Sequence, residues 1–150
     1  MSDIGMSEGL PAEATSMACF NLQMMRSSHY ILKAYDEAYR PYGIRATQMP
    51  VLGAVARRQP VTIRGIADEL ESERSVMSRK LQVMEKRGWV KEDSKTSGKE
   101  KTFVLTEEGK ELIKEILPAR MEVQQRLMSV LTKEELDLLL TLCSKLKAIV

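Results

Sequence analysis

At 150 residues, with 43% hydrophobic and 29% charged side chains, the chain has the composition of a soluble globular protein with one well-cored domain or a small domain carrying an oligomerisation appendage. No apolar run approaches the roughly 20 residues that span a bilayer, and the start of the chain lacks the basic and apolar segments of a secretion signal, so a cytoplasmic location and no membrane partner are expected. A net charge of +2 says little by itself, but one histidine and two distant cysteines give no metal-ligand spacing, no glycine-rich phosphate loop is present, and neither a metal, a cofactor nor an enzyme is implied.

Residues 1–14 lack periodicity and contain Gly and Pro, and are expected to form a flexible arm. A long helix follows over residues 15–40. Met17, Phe20, Met24, Ile31, Tyr35 and Ala38 make one apolar stripe, while Leu22, Met25, His29 and Leu32 make a second, rotated one. A helix apolar on two faces needs two partners, and one of them can be a second chain. Pro41 and Gly43 end this helix. Thr47 is expected to cap the next, over residues 48–57, where Pro50 is tolerated in the first turn.

Thr62 is placed to cap a short helix carrying Ile63, Ile66, Ala67 and Leu70 at helical spacing. The stripe breaks at Glu71-Ser72. Ser72 is then a second N-cap candidate for a longer helix over residues 73–87, which stops at Gly88. Met77, Leu81 and Met84 form its apolar face. About 180° away, by the 100° step per residue, stand Ser75, Arg79, Gln82 and Lys86, flanked by Arg74 and Ser78. These are long or hydroxyl-bearing donors suited to phosphate oxygens and purine edges.

Two strands are expected next, residues 89–92 and 102–105, with β-branched or aromatic residues in rough alternation. Between them, residues 93–101 are too polar to pack, and Lys95, Lys99 and Lys101 make the tip a cationic finger. Trp89 is expected to anchor the hairpin rather than to stack on bases. A helix-turn-helix followed by a basic hairpin is a device for laying one helix in a DNA groove. The charge follows the same division. From position 57 to 101 there are twelve Lys or Arg against eight Asp or Glu, a net +4, and the remainder carries −2, together giving the +2 of the whole.

Thr106 opens a further helix, with Glu107 and Glu108 at its positive end and Pro118 inside its span, where a kink is expected. Thr132 and Glu135 form a capping box for a last helix. Its stripes, Leu136, Leu139, Leu140, Cys143 and Leu146 beside Leu138, Leu142 and Ile149, hold more apolar surface than a lone helix tolerates, and Cys143 is expected to be core. The expected organisation is therefore a mainly α chain with a small β-hairpin wing. The arm spans 1–14, a helical dimerisation region 15–44 and 107–150, and a winged helix-turn-helix 45–106. A twofold dimer of such units reads two half-sites about one DNA turn apart on a pseudo-palindrome.

With these elements in place the chain resembles the MarR family of winged-helix regulators over about residues 14–150. The resemblance is carried by Tyr35-Asp36, by the run from Pro41 to Gln48, by the helix from Thr62 to Leu70, by Ser78-Arg79 and Leu81, by Glu85 to Val90, and by Leu105-Thr106 with Gly109. It implies a homodimer on double-stranded promoter DNA, usually a repressor, released by a small phenolic or otherwise amphipathic ligand. It also implies a ligand pocket between the first helix and the DNA-reading unit, for which Met25, Arg26, His29 and Met49 are candidates. The bland reading of His29 is a hydrogen-bonded core or interface residue. The family commonly has Asp-x-Arg before the final hairpin strand. Here the aligned residues are Ser97-Gly98-Lys99, which keeps a charge and loses the planar fork. Cys19 lies where thiol-sensing relatives carry a reactive cysteine, so an oxidant-sensing repressor is an alternative. The bland reading of Cys19 is a small buried hydrophobe. A winged-helix interaction module without a DNA target is a further alternative, disfavoured by the basic face and lysine tip because a protein-docking face should be more apolar.

Overall fold

The computed structural model describes residues 12–94 and 100–149. The first helix, α1, spans Ala12–Tyr39, so the expected arm is already helical over its last three residues and otherwise lies outside the described part. A 3-10 turn, Arg40–Tyr42, closes on Gly43 at φ 68°, a left-handed conformation in which glycine avoids a Cβ clash. Helix α2 covers Met49–Arg58 with Pro50 in its first turn.

Thr47 does not cap α2. The chain turns into the helix one residue later, at Gln48, whose side-chain oxygen reaches back to accept from the Arg45 N–H at 2.9 Å. Strand β1, Val61–Thr62, was not expected. It is only two residues long, too short for alternation to show, and exists because its backbone pairs with the far strand of the hairpin.

Helix α3, Ile63–Glu69, begins where expected. Thr62 Oγ1 accepts from the Gly65 N–H, leaving Ile66 and Ala67 buried. Helix α4, Arg74–Lys86, starts one residue later than the Ser72 cap implies. Glu73 is the N-cap and makes no side-chain capping bond, while the Ser72 N–H donates to the Ala67 carbonyl. Glu71, at φ 48°, makes the corner between α3 and α4.

Strands β2, Val90–Glu92, and β3, Thr102–Leu105, form the hairpin, and the three-stranded antiparallel sheet runs β1-β3-β2 with Val61 opposite Phe103 and Val90 opposite Leu105. Helix α5, Glu107–Val130, is capped by Thr106, whose Oγ1 accepts from the Gly109 N–H, and it runs through Pro118 as one helix. Helix α6, Lys133–Lys145, carries the reciprocal capping box of Thr132 and Glu135 and runs into a 3-10 turn, Leu146–Ile149. No described helix is long and apolar enough to cross a membrane.

One core joins these parts. Leu52 and Val55 from α2, Ile66 from α3, Met77, Leu81 and Met84 from α4, Val90 and Phe103 from the sheet, and Ile116 from α5 are all buried together. Of α1, only the C-terminal end joins this cluster, through Tyr39 with Tyr35 and Ala38 against it. The rest of α1 and all of α6 are a different matter. Phe20, Leu22, Met25, Tyr30, Leu138, Leu140 and Leu142 are exposed, and no residue of α6 is buried. Cys143 is therefore not core in the single chain but exposed, because none of the described residues buries the leucine stripe on which it sits.

Candidate nucleic-acid interface

The orientation of α4 follows from its buried face. Met77, Leu81 and Met84 are at most 2% exposed, so rotating the helix about its axis would pull close-packed side chains out of the core. That rotation leaves Ser75, Arg79, Gln82 and Lys86 in solvent on the other side, with Arg74 exposed and Ser78 half-buried beside them. A further tie comes from Lys80, whose Nζ donates to the Thr47 carbonyl at 2.8 Å and fixes α4 to the turn before α2. Arg79 thus stands on a helix held at both its core face and its flank.

Two apolar side chains were missed on the same surface. Val76 and Val83 are exposed next to the donors, where they can meet thymine methyl groups. Arg64 was also missed. It lines a groove of about 190 Å³ with Thr62, Arg74, Glu100 and Lys101, so α3, α4 and the root of the wing converge there. It pairs with Asp68, at 3.9 Å across one helical turn. The signal was present in sequence, since Arg64 lies off the Ile63–Ile66–Ala67 stripe.

The wing differs in part from expectation. Lys95 and Lys99, with the Ser97-Gly98-Lys99 triplet, lie outside the described residues. Lys101 is not a free cation of the finger. Its Nζ is 2.8 Å from Glu92 Oε2 across the hairpin, and that hydrogen bond holds the ammonium above its ordinary 10.5. The hairpin places the two side chains next to each other, a proximity that spacing along the sequence does not reveal. Trp89 is the hairpin anchor, 8% exposed, with the Arg87 guanidinium 5.6 Å from its ring centroid, and Arg87 is thereby engaged away from the reading face.

The four candidate pocket residues do not form one site. Met49 lines a cleft of about 330 Å³ with Tyr35, Tyr39, Gly53, Arg57 and Arg120, between α1, α2 and α5. His29 lines a separate groove of about 600 Å³ that includes Lys33, Asp36, Arg40 and Arg45. It is exposed there, its ring 6.1 Å from that of Tyr30, and so it is not a core histidine. Met25 and Arg26 are exposed and line neither cavity. Asp36 braces the wall between the two, accepting from the Ala46 N–H at 2.7 Å and pairing with Arg45 at 3.1 Å.

In the Met49 cleft the chemistry is amphipathic. Two arginines, two tyrosines and the apolar Ala46, Met49 and Pro50 share its lining. Burial pushes the Tyr39 hydroxyl above its ordinary 10.0, neighbouring Tyr35 adds to this, and Arg120 works against it, so Tyr39 is a neutral donor near pH 7. Cys19, on α1, is exposed rather than a buried hydrophobe. Among the described residues no three His, Cys, Asp or Glu side chains converge on a metal-sized site.

Comparisons with known proteins agree with this architecture. The sequence pattern of the MarR family matches residues 42–100. An uncharacterized HTH-type transcriptional regulator of Bacillus subtilis, YwoH, is 26% identical over 113 residues, covering 75% of this chain and 82% of its own. A mutant MarR from E. coli, solved in complex with operator DNA, superposes with a TM-score of 0.79 at 20% identity, over 87% of this chain and 95% of that one. Staphylococcus aureus MarR in complex with salicylate and kanamycin superposes with a TM-score of 0.71 at 19% identity, over 91% of this chain and 93% of that one. At such identities these two structures establish a common fold.

Proposed function

This chain is a winged helix-turn-helix protein of the MarR family, and from that premise we propose that it is a homodimeric, sequence-specific regulator of transcription, a DNA-binding protein and not an enzyme. In this reading α4 lies in the major groove of promoter DNA. Arg79, with Ser75 and Gln82, reads base edges, while Arg74, Ser78 and Lys86 hold phosphates. Of the wing lysines, Lys95 and Lys99 are assigned to the flanking backbone, which Lys101 joins only when released from Glu92, and the protein represses from a pseudo-palindromic operator.

The observation that carries the reading is the opposition of two faces on one helix. Met77, Leu81 and Met84 are buried while Arg79 and its companions are exposed, on an element pinned by the Lys80 contact to Thr47. The dimer is supported by the uncovered leucines of α6 and the apolar outer length of α1, which resemble half of a core. Release by a small phenolic or amphipathic ligand is supported by the Met49 cleft, whose lining combines arginines and tyrosines with apolar side chains.

The test is a titration of the purified protein against inverted repeats with half-sites at varied spacing, with its mass measured by light scattering. A dimer that prefers half-site centres about 10 base pairs apart, and binds them far more tightly than random duplex, is expected. A monomer, or equal affinity for any duplex, refutes the proposal.

A further inference from the structure

Val76 is an apolar side chain left on the flank of the donor face of α4. It is 37% exposed and takes no part in the core cluster that holds Met77, Leu81 and Met84. By the 100° step it stands about 60° round the helix from Arg79 and one turn, about 4.5 Å, nearer the N-terminus. Lys80, its neighbour at i+4, is drawn away to the Thr47 carbonyl, so that ammonium does not stand over the valine. Two methyl groups are thus presented beside the Arg79 side chain at the leading end of α4, on its third residue.

Valine offers nothing to a phosphate oxygen. It also holds its methyl groups stiffly, because one χ1 rotamer dominates for this β-branched side chain in a helix. The major groove contains one apolar feature, the C5-methyl of thymine, and its other base edges present hydrogen-bonding atoms. Against cytosine, adenine or guanine the valine would strip water from a donor or acceptor and return no bond. Position along the helix matters as well. The N-terminal residues of a recognition helix are those that approach base edges, and Val76 is among them. Val83 lies on the same line, seven residues and about 10 Å further along, where the last turn of α4 begins.

We infer that Val76 is a thymine-selecting residue, and that it fixes one base of the half-site this protein prefers. Its methyl groups pack on the C5-methyl of a thymine close to the base pair under Arg79, since about 4.5 Å along the helix spans between one and two base-pair steps of about 3.4 Å. The inference rests on the reading of α4 as the helix in the major groove. It adds a requirement that Arg79 does not impose, because the feature recognised is a methyl group and not a pattern of donors and acceptors. Covering one methyl corresponds to a preference of about fourfold.

The experiment selects preferred duplexes for the full chain from a randomised pool. Each thymine of the best duplex is then replaced in turn by deoxyuridine, which keeps the hydrogen-bonding edges and lacks the methyl. Affinities of the parent, Val76→Ala and Val83→Ala are measured by anisotropy at one salt concentration. In each half-site, one thymine is expected at which replacement weakens the parent by about fourfold. Val76→Ala should bind the thymine and deoxyuridine duplexes equally, while Val83→Ala should keep the preference at that base. Alanine has the higher helix propensity at this exposed position, so the Val76→Ala chain is expected to fold as the parent does. A parent indifferent to every replacement overturns the inference, as does a Val76→Ala protein that discriminates like the parent. Loss of the same preference in Val83→Ala overturns it too, because a general change in the helix would then account for both. A chain that enriches no sequence from the pool refutes the DNA-reading proposal and this inference with it, whereas enriched duplexes bound without regard to the methyl refute this inference alone.

Discussion

Gly109 lies against the backbone of Trp89 so closely that a Cβ on the glycine would stand 2.0 Å from the Trp89 carbonyl oxygen. The same carbonyl accepts from the Thr106 N–H at 3.1 Å, and Thr106 Oγ1 in turn caps Gly109 and donates to the Gly88 carbonyl. The first turn of α5 is thus joined to the base of the hairpin by backbone contacts with no slack. Gly109→Ala is expected to cost at least about 2–3 kcal/mol, since backbone, unlike a flexible side chain, cannot step aside. Chemical denaturation measures this, and a midpoint equal to the parent's would show that the junction can relax.

Arg79→Ala should weaken binding to the cognate operator by about 1–3 kcal/mol if the guanidinium reads a guanine edge. Random duplex should be affected much less. Equal losses on both, measured by anisotropy titration, would assign Arg79 to phosphate alone.

Glu92→Gln removes the acid that engages Lys101 across the hairpin. With the ammonium freed for a phosphate, the plot of log affinity against log salt should steepen by up to about 0.9. Lys101→Ala in the same background should return the slope to its original value. If neither change moves the slope, Lys101 stays clear of the duplex.

Leu140 is 60% exposed on the uncovered stripe of α6. Leu140→Glu should leave the single-chain core intact, since the residue takes no part in it, while a carboxylate in an apolar contact between copies is costly. Light scattering should report a monomer, with operator binding lost in step. A dimer of normal mass would place the interface elsewhere.

Tyr39 supplies a test in alkaline solution. Its hydroxyl is held above the ordinary 10.0, first by burial and then by Tyr35, against the pull of Arg120. The folded state therefore favours the neutral phenol. This contribution is fully present below the unfolded tyrosine value and is lost as pH rises through the higher folded value. Of the four tyrosines, one should ionise late in a phenolate absorbance titration. Tyr39→Phe should abolish the late phase and flatten the alkaline loss of stability.

Local chemistry was readable where neighbours along the chain carry it. Thr62, Thr106 and the Thr132–Glu135 box cap their helices through bonds spanning three residues, and Met77, Leu81 and Met84 face the core at the spacing their positions imply. The same periodicity put Arg79 on the outside. Caps failed at Thr47 and Ser72: the helices start one residue later, after Gln48 and Glu73, neither of which makes a side-chain capping bond, because the path of the incoming chain sets where each helix begins.

The sequence by itself determined the order of the α-helices and the hairpin, the caps at Thr62, Thr106 and Thr132, and which side of α4 carries the donors, because helical period and three-residue hydrogen bonds are properties of contiguous chain. Only the tertiary structure decided what lies beside what. It paired β1 with β3, set Glu92 on Lys101, parted His29 from Met49, left Cys143 uncovered, and brought Arg57 from α2 onto Glu69 at the end of α3. Those relations join residues far apart in the chain. They arise from the close packing of helices and strands, for which a linear pattern of apolar and polar positions carries no coordinates.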